Sequence, residues 1–269
     1  IAVGFNFFKS YTDNLLTLKS LDGVSGLKQY WCNEGSMENI GFDASLRVKL
    51  LAMKDFSWEA GAGVGFYRNE ITALPDGNAD ILTSLYGAQI LTSVGQPAGL
   101  FYGYQTEGVF ATAAEAAEAN LYNGSLGGRH FQAGDVHFTD RMKDHIISKE
   151  DRTVIGDPNP DFYGQFSTRL SYKQWTLDAL FTYSVGNDIY NYQRSVLESG
   201  STHYNQTTAL LNRWTIEGQQ TDVPRVTYGD PLGNSRFSDR WIEDGSYLRL
   251  KTLRLSWRLP LTRGYYSCR

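Results

Sequence analysis

Apolar and polar side chains alternate along residues 175–185. Trp175, Leu177, Ala179, Phe181, Tyr183 and Val185 occupy one set of positions; Thr176, Asp178, Leu180, Thr182 and Ser184 occupy the other. Residues 162–172 alternate too, with Phe162, Gly164, Phe166, Thr168, Leu170 and Tyr172 against Gln165, Ser167, Arg169 and Ser171. A period of two sends successive side chains to opposite faces of a strand. Only Lys173 and Gln174 separate the runs, which predicts a tight hairpin. Upstream, residues 1–18 open with Ile1, Val3, Phe5 and Phe7 against Ala2, Gly4 and Asn6, predicting one long strand or a bulged one. In residues 41–50, Phe42, Ala44, Leu46, Val48 and Leu50 oppose Asp43, Ser45, Arg47 and Lys49. After a turn at Lys54-Asp55, Phe56, Trp58, Ala60, Ala62, Val64 and Phe66 oppose Ser57, Glu59, Gly61, Gly63 and Gly65. The glycines leave room on the polar face for bulky neighbours. Residues 247–259 end the pattern, with Leu253, Leu255, Trp257 and Leu259 in phase and Leu248 and Leu250 out of phase. That slip predicts a bulge near Lys251-Thr252, and Pro260 a stop.

Between these runs lie long polar stretches. Residues 20–36 read as a Gly-containing loop, and 71–161 and 186–245 hold no strand of comparable length. Thr112 followed by Glu115 and an Ala-rich run is a helix start. A second helix is expected around 206–214. Loops this long are normally functional. A soluble β-sandwich shows the same alternation, but short turns at one end and long loops at the other are the layout of a transmembrane β-barrel. On that layout the turns at 54–55 and 173–174 are periplasmic, and loops 20–36, 73–159 and 187–245 extracellular. Leu46, Val48, Leu177 and Phe181 then face lipid, while Arg47, Lys49, Asp178 and Thr182 face the lumen.

No apolar run approaches the ~18 residues of a membrane helix, which argues against a helical membrane protein and leaves a barrel open. Seventeen tyrosines and six tryptophans suit interfacial aromatic girdles or a carbohydrate-handling surface. A net charge of −4 does not suggest a nucleic-acid partner. Cys32 and Cys268 fit no metal spacing and read as incidental thiols.

Candidate chemistry is sparse. Counted from Asp140, an EF-hand-like loop would use Asp140, Met142, Asp144, the Ile146 carbonyl, Ser148 and Asp151. Met142 replaces a ligand and His145 the turn glycine, which favours a solvated acidic loop over a calcium site. The loop carboxylates Asp188, Glu198, Glu217, Asp222, Asp230, Asp239, Glu243 and Asp244 show no fixed pair and read as turn-forming acceptors. His130, His137, His145 and His203 match no catalytic pattern, and 124–128 lacks the strand–helix context of a phosphate loop. Arg236, Asp239, Arg240, Glu243 and Asp244, with Phe237 and Trp241, read as a salt-bridged loop base. Tyr190, Tyr192, Tyr204, Trp214 and Tyr228 could stack on sugar rings or serve loop packing. No catalytic, cofactor-binding or metal residue is assigned, substrate-binding residues stay unassigned, and the chain does not read as an enzyme.

Several segments resemble one family. Gly156-Asp157-Pro158-Asn159-Pro160-Asp161-Phe162, Ser171-Tyr172-Lys173 and Gly186-Asn187-Asp188-Ile189-Tyr190-Asn191 look like SusC/RagA-type TonB-dependent outer-membrane transporters. So do Leu211-Asn212-Arg213-Trp214 and the run from Arg236 to Leu250. Gly35-Ser36-Met37-Glu38-Asn39-Ile40-Gly41 resembles a strand-opening motif, and Tyr102-Gly103-Tyr104 with Glu107-Gly108-Val109-Phe110 a long extracellular loop. The resemblance implies an all-β antiparallel meander, part of a 22-stranded transmembrane β-barrel with a plugged lumen and long extracellular loops carrying short helices. It implies import of oligosaccharides or peptides, energised through TonB, beneath a SusD-like surface lipoprotein. Plug, TonB-contacting segment, signal peptide and closing strands have no match here. Residues 1–260 are therefore expected to be a partial barrel domain, 261–269 an unpatterned tail, and the chain a fragment unable to transport alone. The alternative is a soluble or surface-attached lectin-like β-rich module.

Overall fold

The computed structural model describes residues 1–21, 26–27, 29–75, 79–124 and 128–259. Six long strands form its main sheet: β1 (Ala2–Ser20), β2 (Gln29–Ala52), β3 (Phe56–Ala73), β4 (Phe162–Tyr172), β5 (Trp175–Val185) and β6 (Tyr247–Trp257). They lie side by side in chain order, each antiparallel to its neighbour. The meander is open, with β1 and β6 at its edges. The Pro260 stop, the tail 261–269, Cys268 and positions 125–127 of the glycine-rich loop lie outside the described residues.

The expected turns and bulge are present. Lys173 turns the β4–β5 hairpin at φ 52°, and its N–H donates to the Asp55 carbonyl at 2.8 Å. The two short turns therefore sit together, opposite the long loops. Leu180 pairs with Thr252 but Phe181 with Leu250, so Lys251 is the extra residue of a β-bulge. This lets Leu248 and Leu250 share a face with Leu253 and Leu255.

The loop expected at 20–36 is corrected at Ser20 and at 29–36, which are strand, while residues 22–25 and 28 lie outside the described residues. The first hairpin runs on through Thr17↔Cys32, Leu18↔Trp31 and Lys19↔Tyr30, and an ion pair of 3.0 Å joins Lys19 to Glu34. This extension is solvated on both faces, so it needs no apolar alternation to form. Its polarity imitates a loop. A left-handed Asn14 (φ 58°) marks the register shifts near Leu15.

The sheet inverts the burial of a soluble one. On β3 the apolar side chains Trp58, Val64 and Phe66 are exposed, whereas Gly65, Asn69 and Ile71 on the other face are covered. Phe5, Leu46, Phe166, Leu250, Leu253 and Leu255 are exposed likewise. Aromatic rings border this apolar face at both ends. At the short-turn end Phe56, Tyr172, Trp175 and Trp257 lie in one register row, and Trp175 stacks on Trp257 at 5.7 Å. Toward the loops Phe5, Phe42 and Phe66 follow one another at 6.1 and 5.8 Å. Beyond them the same face turns polar, with Arg68 opposite Ile40 and Lys9 ion-paired to Glu38 at 2.7 Å. The ten steps from Trp175 to Val185, at ~3.4 Å each and a tilt of ~40°, cover roughly 26 Å.

The opposite face carries a row of alternating charge across five strands, Lys49–Glu59–Arg169–Asp178–Arg254. The glycines of β3 make room there as expected: a Cβ at Gly65 would stand 2.7 Å from the Tyr163 ring.

The loops fold into short strands and small helices. Residues 81–156 contribute a four-stranded sheet, in spatial order Thr153–Gly156, Leu100–Gly103, Ala88–Thr92 and Ile81–Leu85. Helix α1 (Ala113–Ala119) starts with a complete Thr112/Glu115 capping box and ends on left-handed Asn120. The helix expected at 206–214 is a single 3-10 turn, Thr208–Asn212. A true helix, α2 (Tyr192–Leu197), lies upstream, capped by Asn191.

Because Lys251 is the extra residue of the bulge, deleting it leaves Leu248, Leu250, Leu253 and Leu255 on one face in strict alternation and is expected to be tolerated, whereas deleting Arg254 sets Leu253 beside Leu255, shifts one half of β6 onto the wrong face and is expected to abolish assembly. Lys251→Ala keeps the residue count and should assemble normally. The heat-modifiable gel mobility of the full-length protein separates these outcomes.

Candidate functional site

The two long loops pack into one body over the loop end of the sheet. Its core joins Tyr104, Phe110, Leu121, Phe131, Val136, Phe138 and Ile147 of the first loop to Leu232 of the second. Asn123 Nδ2 donates to the Leu232 carbonyl at 2.8 Å, and Trp214 Nε1 donates to the Ala111 carbonyl at 3.0 Å. Glu217 accepts from the Ala113 N–H at the start of α1. The body is tied to the charged face of the sheet through Asn69, which accepts from the Ala98 N–H at 2.6 Å and donates to Asn159 Oδ1 at 2.8 Å.

Its central polar contact was not legible in the sequence. Buried Asp135 takes Nε and Nη2 of Arg225 on its two oxygens at 2.8 and 2.9 Å. Asn234 Nδ2 and the Gln132 N–H complete the carboxylate's bonding. The partners are separated by 90 residues, and no local pattern relates them.

The Asp140 loop is solvated over residues 141–146, as expected, and its turn is held by its own carboxylates. Asp151 is buried and accepts from the N–H groups of Arg141, Met142 and Ser148; Asp140 accepts from those of Lys143, Asp144 and His145. Carboxylates filled by backbone donors have little capacity left for a cation. Among the described residues no group of three or more His, Cys, Asp or Glu side chains is placed to hold a metal. His137 stacks on Phe110 at 4.3 Å beside Glu107, and burial pushes its imidazole below the ordinary range. His130 lies on Tyr122, His203 on Tyr228, and His145 Nδ1 contacts the Ala119 carbonyl.

The cluster at 236–244 is a loop base in which Glu243 forms an ion pair, while its two arginines take other partners. Arg236 donates to the Gly233 and Leu232 carbonyls and lies over the Phe138 and Tyr104 rings at 4.7 and 5.0 Å. Arg240 donates to the Asn234 and Asp222 carbonyls and lies over Trp241 at 4.9 Å. Burial pushes the Arg240 guanidinium down to about 10. Carbonyls and ring faces satisfy these buried cations in place of carboxylates. Asp239 binds Thr106, Asp230 binds Asn234 and Ser235, Asp188 binds the Asp157 N–H and Asp244 the Ser246 N–H. Glu243 pairs with Arg194 from α2 at 3.1 Å, and Glu198 with the same arginine at 2.9 Å.

The loop aromatics divide. Tyr190 and Trp214 are packing residues with their polar atoms bonded inside the loops. Tyr192, Tyr204 and Tyr228 are exposed. Tyr192 stands 5.2 Å from Tyr86, which sits at a hairpin tip and was not anticipated; the Tyr86-Gly87 turn following Leu85 was the available signal. On the sheet itself, a hollow of about 370 Å³ is lined by Arg47, Glu59, Arg169, Asp178 and Arg254, where Arg169 binds Asp178 directly. Two surfaces thus stand out: a charged sheet face and an aromatic edge on the loops.

Removing the Asp135 carboxylate would strand Arg225, Asn234 and the Gln132 N–H. Asp135→Ala is expected to cost about 2–4 kcal/mol of local stability. The loop body should become protease-sensitive while the sheet still assembles, as limited proteolysis of the full-length protein would read out.

No protein-family model matches the chain. It is similar to TonB-dependent receptor P3 of Formosa agariphila, at 32% identity over 266 residues, covering 97% of this chain and 25% of that protein. It is also similar to TonB-dependent receptor SusC of Bacteroides thetaiotaomicron, at 24% identity over 267 residues, 93% of this chain and 23% of that one. Among solved structures, the RagAB peptide importer in its "closed-closed" state superposes with a TM-score of 0.72 at 28% identity, over 96% of this chain and 27% of that one. The chain spans about a quarter of the length of these relatives.

Proposed function

Because this chain carries the sequence and fold of SusC/RagA-type TonB-dependent receptors along nearly its whole length, we propose that it forms part of the wall and extracellular loops of an outer-membrane nutrient importer. The observation that carries the reading is the inverted sheet. An uncovered apolar face of roughly 26 Å, edged by aromatic rows, is costly in water and is what a bilayer demands. The charged face then lines the lumen, and the long loops stand outside the cell. Residues 1–260 are assigned to the barrel domain and 261–269 to a tail.

On this reading the whole protein imports oligosaccharides or peptides, powered through TonB and working with a SusD-like surface lipoprotein. The role in import is passive: the strands provide a wall, the lumen row a hydrated charged surface, and the loop body a place for solute and lid contacts. No residue is assigned a catalytic task.

Two tests follow. Phe181 stacks on Phe166 at 4.5 Å on the apolar face, while Thr182 is its neighbour on the charged face. An arginine at a lipid-facing midplane position costs ~2–4 kcal/mol. Phe181→Arg should cripple assembly of the full-length barrel and Thr182→Arg should be tolerated, judged by outer-membrane yield. Equal tolerance would remove the lipid face from the reading.

Protease applied to intact cells should cut within residues 74–161 and 186–246 and spare the turns at 54–55 and 173–174. Cleavage confined to those turns would invert the topology.

A further inference from the structure

We infer that the cleft beneath Tyr86 and Tyr192 is a binding subsite for a neutral pyranose ring. The inference rests on the importer reading and adds to it a location and a ligand chemistry. Tyr86 occupies the tip between the strands Ile81–Leu85 and Ala88–Thr92. Both residues of the two-residue turn are left-handed, Tyr86 at φ 49° and Gly87 at 84°, which is the geometry of a tight hairpin. The turn projects the Tyr86 ring outward, leaving it 70% exposed. Tyr192, the first residue of α2, is 47% exposed and packs against it, ring centroids 5.2 Å apart. The first ring comes from one long loop and the second from the other.

The cleft beneath the two rings measures about 440 Å³. Its floor is Trp241, fully buried and held by a bond from its Nε1 to the Arg236 carbonyl at 3.1 Å. Phe237 and Tyr190 form a wall, edge to face at 5.1 Å. Tyr190 Oη, bonded to the Tyr86 carbonyl and to Ser195 Oγ at 3.0 and 2.8 Å, fixes the hairpin tip against α2. The rings are thus pre-positioned, so little side-chain freedom remains to be lost when a ligand enters.

The lining selects the ligand class. No charged side chain lines the cleft; its polar groups are tyrosine and serine hydroxyls and backbone. A few placed hydroxyls among aromatic rings make an orienting site with an apolar body. A pyranose offers the complement, an apolar C–H face to lie on a ring and equatorial hydroxyls to meet the rim. A peptide would bring an unpaired backbone, and often charges, into a cleft with no ion to answer them.

The test uses the full-length receptor in detergent and titrates it calorimetrically with maltohexaose, laminarihexaose and cellohexaose, with a phenylalanine-containing hexapeptide as comparison. At least one hexaose should bind. Tyr192→Ala and Tyr86→Ala should each weaken it about five- to tenfold, while Tyr192→Phe stays within about twofold of the parent. Heat-modifiable mobility unchanged from the parent certifies that the variants fold. Failure of all three hexaoses, or hexaose binding indifferent to both alanine variants, overturns the proposal; so does peptide binding that the alanine variants abolish. Membrane fractionation reports separately on the importer reading. A receptor absent from the outer membrane whose hexaose binding still needs Tyr192 would refute the importer and support the cleft.

Discussion

A backbone ladder that runs, with local register shifts, across six antiparallel strands is the constraint on which everything else depends. A side-chain period of two means that register alone decides which face a residue occupies. The ladder places Leu170, Leu177 and Leu255 in one row and Arg169, Asp178 and Arg254 in the next. A slip of one residue would exchange the rows. The Lys251 bulge is the one place where β6 resets its count, and it does so where Leu250 and Leu253 must share a face. In a bilayer the ladder has a further task, since every backbone N–H and C=O must be satisfied by a neighbouring strand.

The two faces answer to different solvents. The apolar face lacks the loop covering found on the other and is edged by rings whose amphipathic character suits an interface. The opposite face spends its glycines to accommodate Tyr163 and Gln165 and alternates charge from strand to strand, so that neighbouring side chains attract. The arrangement makes a wall that is stiff in its backbone and hydrated on one side.

The loops follow another logic. They have no ladder long enough to order them, so buried polar contacts do so instead. Asp135 with Arg225 and Asn234, and Arg236 and Arg240 on carbonyls and ring faces, join segments that are distant in sequence. The Tyr190 hydroxyl, bonded to the Tyr86 carbonyl and to Ser195 Oγ, fixes the Tyr86 hairpin against α2.

Much of the sheet could be read directly from the sequence. Period-two alternation is a local property imposed by two solvents on two faces, so strands 41–50, 56–66, 162–172 and 175–185, both tight turns and the Lys251 bulge all followed from residue order. The Thr112/Glu115 helix start was legible for the same reason, because a capping box closes within four residues. The hairpin extension through Gln29–Ser36 was hidden, since a strand wet on both faces carries no alternation. Tertiary structure alone decided the loops. Whether Tyr190 packs or Tyr192 projects, whether Arg236 meets a carboxylate or a carbonyl, and which arginine reaches Asp135 depend on contacts between segments up to about a hundred residues apart. No pattern within one segment carries that information, because the energy that selects each partner exists only after the ladder has brought the loops together.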